Sequence, residues 1–225
     1  MDIVTISGRN YDSNVYVIDG KHPTIVDTGT GLFSTDIIKE IQEHFPLSSL
    51  QHIILTHEHF DHVGGTPDVL KAAEHNAKVV AHTNAIEKLQ QGESSFAHML
   101  GCKMPTIHVD TPVSENDVVV CGDEKFTVLY TPGHSLGSIC LYHEKENILI
   151  SGDTIFANGD FGRYDFPGGH FQSLVQSIKR LSKLDVICLY PGHGPIVEEN
   201  GKTHVMRSFQ NIQSMMDTTS TNTFL

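Results

Sequence analysis

Short apolar runs separated by turn residues recur along the first half of the chain. Two of them, residues 15–18 and 24–26, flank an Asp-Gly dipeptide that suits a tight hairpin turn. The runs at 52–55 and 79–81 predict two further strands. Helical spacing of apolar residues, together with Pro at helix boundaries, predicts three helices between and after these strands. We place them at residues 35–44, from residue 66 onward, and at 83–101, where the amphipathic pattern is weak.

The second half repeats this plan in outline. Apolar runs predict five strands, at residues 117–121, 126–130, 138–143, 148–150 and 186–190. Two amphipathic helices are expected at 171–184 and 202–216. No repeat or linker divides the chain, so we expect a single domain over residues 1–217 and a flexible polar tail at 218–225.

Composition narrows the class of protein. A formal net charge of −12 over 225 residues argues against a nucleic-acid-binding surface, because phosphates would be repelled. No apolar run approaches the ~20 residues that cross a bilayer, and no signal peptide is apparent. Four cysteines form no CxxC pair, so a cytoplasmic protein without a thiolate zinc site is expected. We expect a small-molecule substrate, no nucleic-acid or membrane partner, and a chain able to form a homo-oligomer.

Metal-ligand chemistry is concentrated directly after the predicted strand at 52–55. Residues 57–62 read His-Glu-His-Phe-Asp-His, an HxHxDH motif that places three imidazoles and the Asp61 carboxylate within six residues. Later strands lead into glycine-containing turns that each add one histidine or aspartate, as expected where a rigid scaffold presents a site on loops. The resulting set is too large for one tetrahedral ion and suits two ions that share a carboxylate. Its members are His57, His59, Asp61, His62, His134, Asp153 and His193.

The order of these segments and the residues in them resemble the metallo-β-lactamase superfamily, and most of all its glyoxalase II-like branch. The resemblance rests on the motif at 57–62, on Gly-Asp-Thr-Ile-Phe at 152–156, and on Gly-Arg-Tyr-Asp-Phe-Pro-Gly-Gly at 162–169. It implies an α/β fold, the αβ/βα sandwich, in which two mixed β-sheets pack face to face with helices on the outer faces. The metal ions would lie at one edge of that sandwich.

The resemblance also implies how the seven ligands divide between the ions. The sets are His57, His59 and His134 for one ion, Asp61, His62 and His193 for the other, and Asp153 as the bridge. We expect Zn²⁺, with two ions per chain, and keep iron and manganese as alternatives.

Other polar residues are expected around the ions. The resemblance places Asp27, in a Val-Asp-Thr-Gly segment, where a carboxylate orients a histidine ligand. Thr56 and Ser135 are candidates for similar support. Arg163 either pairs with Asp165 within its own loop or contacts an anionic substrate, since a guanidinium group suits carboxylates.

The remaining histidines are weaker candidates for a functional site. His170 follows two glycines and is a candidate for lining the substrate cleft. Eight others are interpreted as surface or turn residues: His22, His44, His52, His75, His82, His98, His108 and His143.

The chemistry expected of such a site is metal-assisted hydrolysis. Two cations about 3.5–4 Å apart lower the pKa of a shared water toward about 7, which supplies hydroxide at neutral pH, and they polarise the carbonyl under attack. We therefore expect His59, Asp61 and Asp153 to be catalytic. The resemblance narrows the substrate to a thioester such as a hydroxyacylglutathione. Two alternatives stay open: a mononuclear iron persulfide dioxygenase, which would use His57, His134 and Asp153, and a lactonase of the same fold.

Overall fold

The computed structural model, which describes residues 1–221, contains two mixed β-sheets. The strands of the first sheet are β1 Val4–Ile6, β2 Val15–Ile18, β3 Thr24–Val26, β4 His52–Ile54, β5 Lys78–His82 and β6 Thr111–Val113, paired in that order. The strands of the second are β7 Val118–Cys121, β8 Glu124–Tyr130, β9 Ile139–His143, β10 Ile148–Gly152 and β11 Cys188–Pro191. Their order across the second sheet is β11-β10-β9-β8-β7. Two mixed sheets with flanking helices confirm the predicted sandwich.

Helices cover the outer faces of both sheets. They are α1 Ser34–Gln42, α2 Phe60–Val63, α3 Thr66–Ala72, α4 Ile86–Gln91, α5 Ser95–Met99, α6 Phe171–Leu181 and α7 Gly201–Thr221. The helices α1 and α3 pack on the first sheet, and α6 and α7 pack on the second. Among the helices of residues 1–221, none combines the length and the apolar character that a bilayer crossing requires.

The alternation of side chains along the strands builds a separate apolar core on each side of a sheet. In β2, Val15 and Val17 join the core beneath the helices, while Tyr16 and Ile18 face the second sheet. Phe126 of β8 is fully buried in the core between the two sheets. This central core fixes the sheets against each other and thereby the strand ends that carry the polar residues.

Several element boundaries differ from the prediction. The strands β1 and β6 were not predicted, since each has three residues, and β6 contains a proline. The predicted helix at 83–101 is divided into a short 3-10 helix, α4 and α5. Gly92, with φ of 65°, ends α4 in the left-handed region. This break explains why the amphipathic pattern was weak.

The last helix is longer than predicted. It ends at Thr221 instead of near residue 216, so the first four residues of the predicted tail, 218–221, are helical. Residues 222–225 lie outside the described part of the chain. The assignment of 1–217 to a single domain, a cytoplasmic location and a homo-oligomeric state stay predictions.

One edge of the sandwich collects the ends of four strands. The strands β8 and β10 run in the same direction because β9 is antiparallel to both, and β11 is parallel to β10. The carboxyl ends of β8, β10 and β11 therefore meet at one edge. The turn after β4 reaches the same place, where the Ile139 amide donates to the Thr56 carbonyl at 2.9 Å.

Candidate metal centre

All seven predicted ligands come together at this edge of the sandwich. Their donor atoms form three overlapping groups in which every atom lies within 4.8 Å of the others. These groups are His57, His59 and His134; His57, His62 and Asp153; and Asp61, His62 and His193. We call the seven residues the metal cluster.

Short distances inside the cluster separate it into two halves. In the first half, Nε2 of His57 lies 3.1 Å from Nδ1 of His59, and the His59 and His134 rings are 4.5 Å apart. In the second half, Nε2 of His193 lies 3.2 Å from Nε2 of His62 and 3.0 Å from Oδ2 of Asp61. Such spacings between basic nitrogens and carboxylate oxygens are those of groups that converge on a shared cation.

Asp153 lies between the two halves. Its Oδ1 is 3.3 Å from Nε2 of His62, and its Oδ2 is 3.5 Å from Nε2 of His134 and 3.6 Å from Nε2 of His193. The side chain is only 8% exposed. Each half of the cluster thus faces an oxygen of the same carboxylate.

Two unpartnered atoms in the cluster test whether a metal ion fits. Nε2 of His134 and Oδ1 of Asp153 are buried and have no hydrogen-bond partner among the described residues. A buried polar atom without a partner costs about 1–3 kcal/mol. Nitrogen and carboxylate donors that converge without partners are the donor set of a divalent transition metal. The residues therefore fit the ion that the sequence motif predicts.

The protonation states agree with this fit. Burial, followed by the neighbouring imidazoles, lowers the pKa of His57 well below its usual value; burial and His134 lower that of His59 to about 3. Burial alone would raise the pKa of Asp153, but the facing His62 outweighs it and lowers the pKa. Neutral imidazoles and an ionised carboxylate are the forms that bind metal.

The surroundings of His62 favour positive charge at this position. Burial alone would lower its pKa, but the carboxylates of Asp153, Asp27 and Asp61 raise it well above the usual value. The same three carboxylates would favour a metal ion at this position.

Asp27 and Thr56 hold the histidines in place, as predicted. Oδ2 of Asp27 lies 2.7 Å from Nδ1 of His62 and accepts from the Thr56 hydroxyl at 2.7 Å. Nδ1 of His57 lies 3.1 Å from the same hydroxyl. Asp27 has φ of 61°, and its carboxylate also accepts the Thr56 amide. This contact fixes which ring nitrogen of His62 faces the cluster.

The loop after Asp153 orients His134, a role that the sequence did not reveal. Nδ1 of His134 donates to the backbone carbonyl of Arg163 at 2.7 Å, which leaves Nε2 to face Asp153. Gly162 makes this approach possible. A Cβ there would lie 1.9 Å from the Asp153 carbonyl oxygen and 2.9 Å from Nδ1 of His134.

A clamp on the His193 loop was also missed by the sequence. The Asn14 side chain donates to the carbonyls of Pro191 and Gly194, both at 3.0 Å, and the Tyr16 hydroxyl donates to the Pro191 carbonyl. A Cβ at Gly192 would lie 2.1 Å from Oδ1 of Asp153, so only glycine allows this close approach. Asn14 gave no signal because nothing in its local pattern points to a loop 177 residues away.

Glu58, within the histidine motif, has a separate function. Its carboxylate accepts the Ser135 hydroxyl at 2.9 Å and the Gly137 amide at 3.1 Å. Burial raises its pKa. Glu58 therefore ties the loop of His134 to the motif segment, and Ser135 supports the cluster through this carboxylate.

A cleft of 470 Å³ opens onto the metal cluster. Four phenylalanines line it: Phe96, Phe156, Phe161 and Phe166. The Phe166 ring lies 6.0 Å from that of His59, and the Phe156 ring lies 6.2 Å from that of His193. Lys88 and Arg163 are cationic residues of the lining. The cleft thus offers an apolar wall beside the metal ligands, with the cations Lys88 and Arg163 and the carboxylates of Glu58 and Glu93 in the same lining.

Arg163 forms the pair with Asp165 that was one of the two alternatives, and contact with a substrate stays a prediction. Its guanidinium makes two hydrogen bonds to Asp165, of 2.9 and 2.7 Å, and lies 4.4 Å from the centre of the Phe166 ring. It also lines the cleft. His170 is not among the lining residues of the cleft; it caps α6, where its Nδ1 accepts the Ser173 amide at 3.3 Å.

Two histidines predicted to be surface or turn residues are buried. His82 is 4% exposed and stacks on Tyr130 with ring centroids 4.1 Å apart. His143 is 3% exposed at the end of β9. The prediction was wrong for both because each ends an apolar strand, and strand ends at this depth are covered by neighbouring elements.

Comparisons with known proteins show which family and fold the chain shares. The family model described as the metallo-β-lactamase superfamily matches residues 8–193. A probable metallo-hydrolase of Methanocaldococcus jannaschii is 36% identical over 202 residues, covering 86% of this chain and 93% of that protein. An acyl-coenzyme A thioesterase of Gallus gallus is 30% identical over 216 residues, covering 85% and 77%.

A hydroxyacylglutathione hydrolase of Ectopseudomonas mendocina is 35% identical over 136 residues. That match covers 60% of this chain and 44% of the hydrolase, so the narrower glyoxalase II-like placement stays a prediction.

Solved structures share the fold over most of the chain. The B3 metallo-β-lactamase BLEG-1 is 28% identical, with a TM-score of 0.76 and coverage of 89% of this chain and 95% of its own. TTHA1623, solved in a di-iron-bound form, is 29% identical, with a TM-score of 0.72 and coverage of 88% and 96%.

Proposed function

The chain belongs to the metallo-β-lactamase superfamily and is an enzyme of the metallo-hydrolase kind, and within that class we propose that it hydrolyses thioesters. The observation that carries the proposal is a cleft whose lining combines members of the metal cluster with four phenylalanines and two cationic residues. An acyl group fits the aromatic wall, and the thiol half of a thioester often carries negative charge.

We assign the ions as the sequence predicted. The ligands are His57, His59 and His134 for one ion, Asp61, His62 and His193 for the other, and Asp153 between them. The position of Asp153, whose two oxygens face histidines of both halves, supports the bridging assignment. Imidazole and carboxylate donors suit Zn²⁺, and the di-iron form of TTHA1623 keeps iron as the alternative.

Bound divalent ions supply an activated water and polarise the substrate carbonyl. The protein side chains and backbone would orient the metal ligands and shape the cleft. Asp27 and the Arg163 carbonyl hold His62 and His134 in the orientation in which each Nε2 faces the cluster. Asp61, 15% exposed and part of the cleft lining, is the more exposed of the two carboxylates in the metal cluster. The phenylalanines exclude water around the reacting bond.

Two relatives favour a thioester over other acyl substrates. One is the acyl-coenzyme A thioesterase, which the chain matches over most of its length, and the other is the hydroxyacylglutathione hydrolase. Both leaving thiols are anionic molecules, which fits Lys88 and Arg163 at the cleft. The Arg163 pair with Asp165 leaves the guanidinium two-thirds exposed and able to contact solvent-borne anions.

A substrate and metal panel tests the proposal. Metal-stripped protein is loaded with Zn²⁺ or Fe²⁺ and assayed on an acyl-coenzyme A, an S-acylglutathione, a lactone and a β-lactam. We expect hydrolysis of both thioesters at kcat/KM values at least about 100-fold above those of the lactone and the β-lactam, a difference of about 2.7 kcal/mol in transition-state binding. A preference for the lactone contradicts the thioester assignment. One iron per chain with oxygen consumption on glutathione persulfide indicates the dioxygenase instead.

A further inference from the structure

A second group of metal-ligating side chains lies at the opposite end of the second sheet. Glu124 begins β8, His143 ends β9, and Glu146 lies in the turn before β10. Because β9 is antiparallel to β8 and β10, these three positions share the edge away from Asp153. The five residues of β10 separate the two ends by about 15 Å.

The donor atoms of this group face each other. Nε2 of His143 lies 3.8 Å from Oε2 of Glu124 and 3.9 Å from Oε1 of Glu146. All three donor atoms lie within 4.8 Å of one another. The His143 ring is buried, and Phe126 packs against it with ring centroids 5.2 Å apart, which holds the ring in this orientation.

The hydrogen bond of Nδ1, the other ring nitrogen of His143, determines whether Nε2 carries a hydrogen. Nδ1 lies 3.0 Å from the backbone carbonyl of Lys125, and a carbonyl can only accept. Nδ1 therefore carries the hydrogen, and Nε2 of the neutral ring is a bare lone pair. This buried Nε2 has no hydrogen-bond partner among the described residues. A lone pair that faces two carboxylates repels both unless a cation lies between them.

We propose that Glu124, His143 and Glu146 bind a Zn²⁺ ion, separate from the metal cluster. The ligand types and the tether of Nδ1 to a backbone carbonyl are those of metal-bound histidine. Donor atoms around one tetrahedral Zn²⁺ lie about 3.3–3.5 Å apart. The distances of 3.8 and 3.9 Å from Nε2 of His143 are slightly longer, and the partly exposed carboxylates can move to shorten them. Water completes the coordination. The ion would join three consecutive strand ends and act as a structural ion.

The competing occupant is a proton on His143. An imidazolium would donate to a carboxylate at about 2.7–2.9 Å, and the observed separations are about 1 Å longer. Other cations already touch the same carboxylates. The amino group of Met1 donates to both oxygens of Glu146, to Oε1 at 3.1 Å and to Oε2 at 2.9 Å, and Nζ of Lys145 lies 3.5 Å from Oε1 of Glu124. They offset part of the negative charge, so we expect weaker zinc binding here than in the metal cluster.

Zinc counting on the full chain tests the proposal. Metal-stripped wild type and the variants H143Q and E146Q are titrated with Zn²⁺ against a chromophoric chelator, and the bound zinc is then measured by elemental analysis. Wild type should bind one more zinc per chain than either variant. H108Q is the matched control, because His108 is exposed and lies 4.0 Å from a single carboxylate, that of Asp110; its zinc count should equal that of wild type.

Two further measurements distinguish loss of this zinc site from other causes. Circular dichroism detects a folding defect, and thioester hydrolysis reports on the metal cluster and the proposed function. Circular dichroism checks each variant, and E146Q and E124Q alone decide the outcome if H143Q does not fold. Thioester hydrolysis should be unchanged in all three variants, since none of them touches the metal cluster. Equal zinc counts in wild type and the folded variants overturn the proposal. So does a His143 ring whose NMR signals show an imidazolium at neutral pH that added zinc does not displace.

Discussion

The two ends of the second sheet each carry a buried histidine in the same hydrogen-bonding arrangement, but the surroundings of the two histidines differ. His134 and His143 each donate Nδ1–H to a backbone carbonyl, and each leaves a buried Nε2 without a partner. At the His134 end the facing carboxylate, that of Asp153, is 8% exposed and six further ligands surround it. At the His143 end, Glu124 and Glu146 are 30% and 36% exposed. In our proposal, burial and ligand number, more than the histidine itself, distinguish the catalytic metal cluster from the peripheral zinc site.

The largest expected effect is the loss of thioester hydrolysis when Asp153 of the metal cluster is replaced. Replacing Asp153 by Asn removes the carboxylate that both halves face, and kcat/KM for a thioester should fall by more than about 100-fold, or at least about 2.7 kcal/mol. D185N is the control, because Asp185 is 90% exposed and precedes β11, at the end of that strand away from the cluster. Activity in D153N near that of D185N, at matched metal content, would show that the chemistry lies elsewhere.

A smaller effect is expected from Asp27, which touches the cluster only through His62 and Thr56. In D27N the His62 ring loses its anionic partner, and metal affinity should fall by about 10–100-fold. The measurement is zinc competition with a chelator. H143Q provides the comparison, because it should leave cluster affinity unchanged. An unchanged affinity in D27N would reduce the Asp27 contact to a structural one.

Zinc bound at the proposed site of Glu124, His143 and Glu146 should raise the thermal stability of the protein. Zinc at about 100 times its dissociation constant stabilises a folded protein by about 2.7 kcal/mol, which corresponds to about 5–10 °C in Tm for a chain of this size. We expect H143Q to lose this part of the zinc-dependent Tm shift while retaining the part that comes from the cluster. Identical zinc-dependent shifts in H143Q and H108Q would remove the basis for a separate structural ion.

The smallest effect concerns the cleft rim. Arg163 already pairs with Asp165 and is two-thirds exposed, so R163A should raise KM for an acyl-coenzyme A by about 5-fold, or about 1 kcal/mol. A neutral thioester should be affected less. Equal losses on the anionic and the neutral thioester, accompanied by a lower Tm, would mean that Arg163 only fixes its loop.

The same comparison shows how far the sequence could predict the site. The cluster was predictable because its ligands follow apolar strands in glycine-containing turns, and parallel strand ends meet at one edge of a sheet. His143 was not, since it ends an apolar strand with no motif around it, and its partners come from a neighbouring strand and turn. Asn14 and the Arg163 carbonyl were equally hidden. Contacts between distant segments, and contacts made by backbone atoms, leave no residue pattern to find.

The fold followed the same rule. Strands with apolar runs, such as β2 and β9, were predicted, and so was the amphipathic helix α6. The short strands β1 and β6 and the break at Gly92 depend on pairing and packing with distant segments, which local patterns do not encode.

Anomalous diffraction from crystals of zinc-loaded protein tests the central claim most directly. We predict two zinc peaks in the cluster, one beside His57, His59 and His134 and one beside Asp61, His62 and His193, with the Asp153 carboxylate between them. A single peak bound only by His57, His134 and Asp153, or a peak distribution that leaves Asp153 without metal, would contradict the two-ion hydrolase.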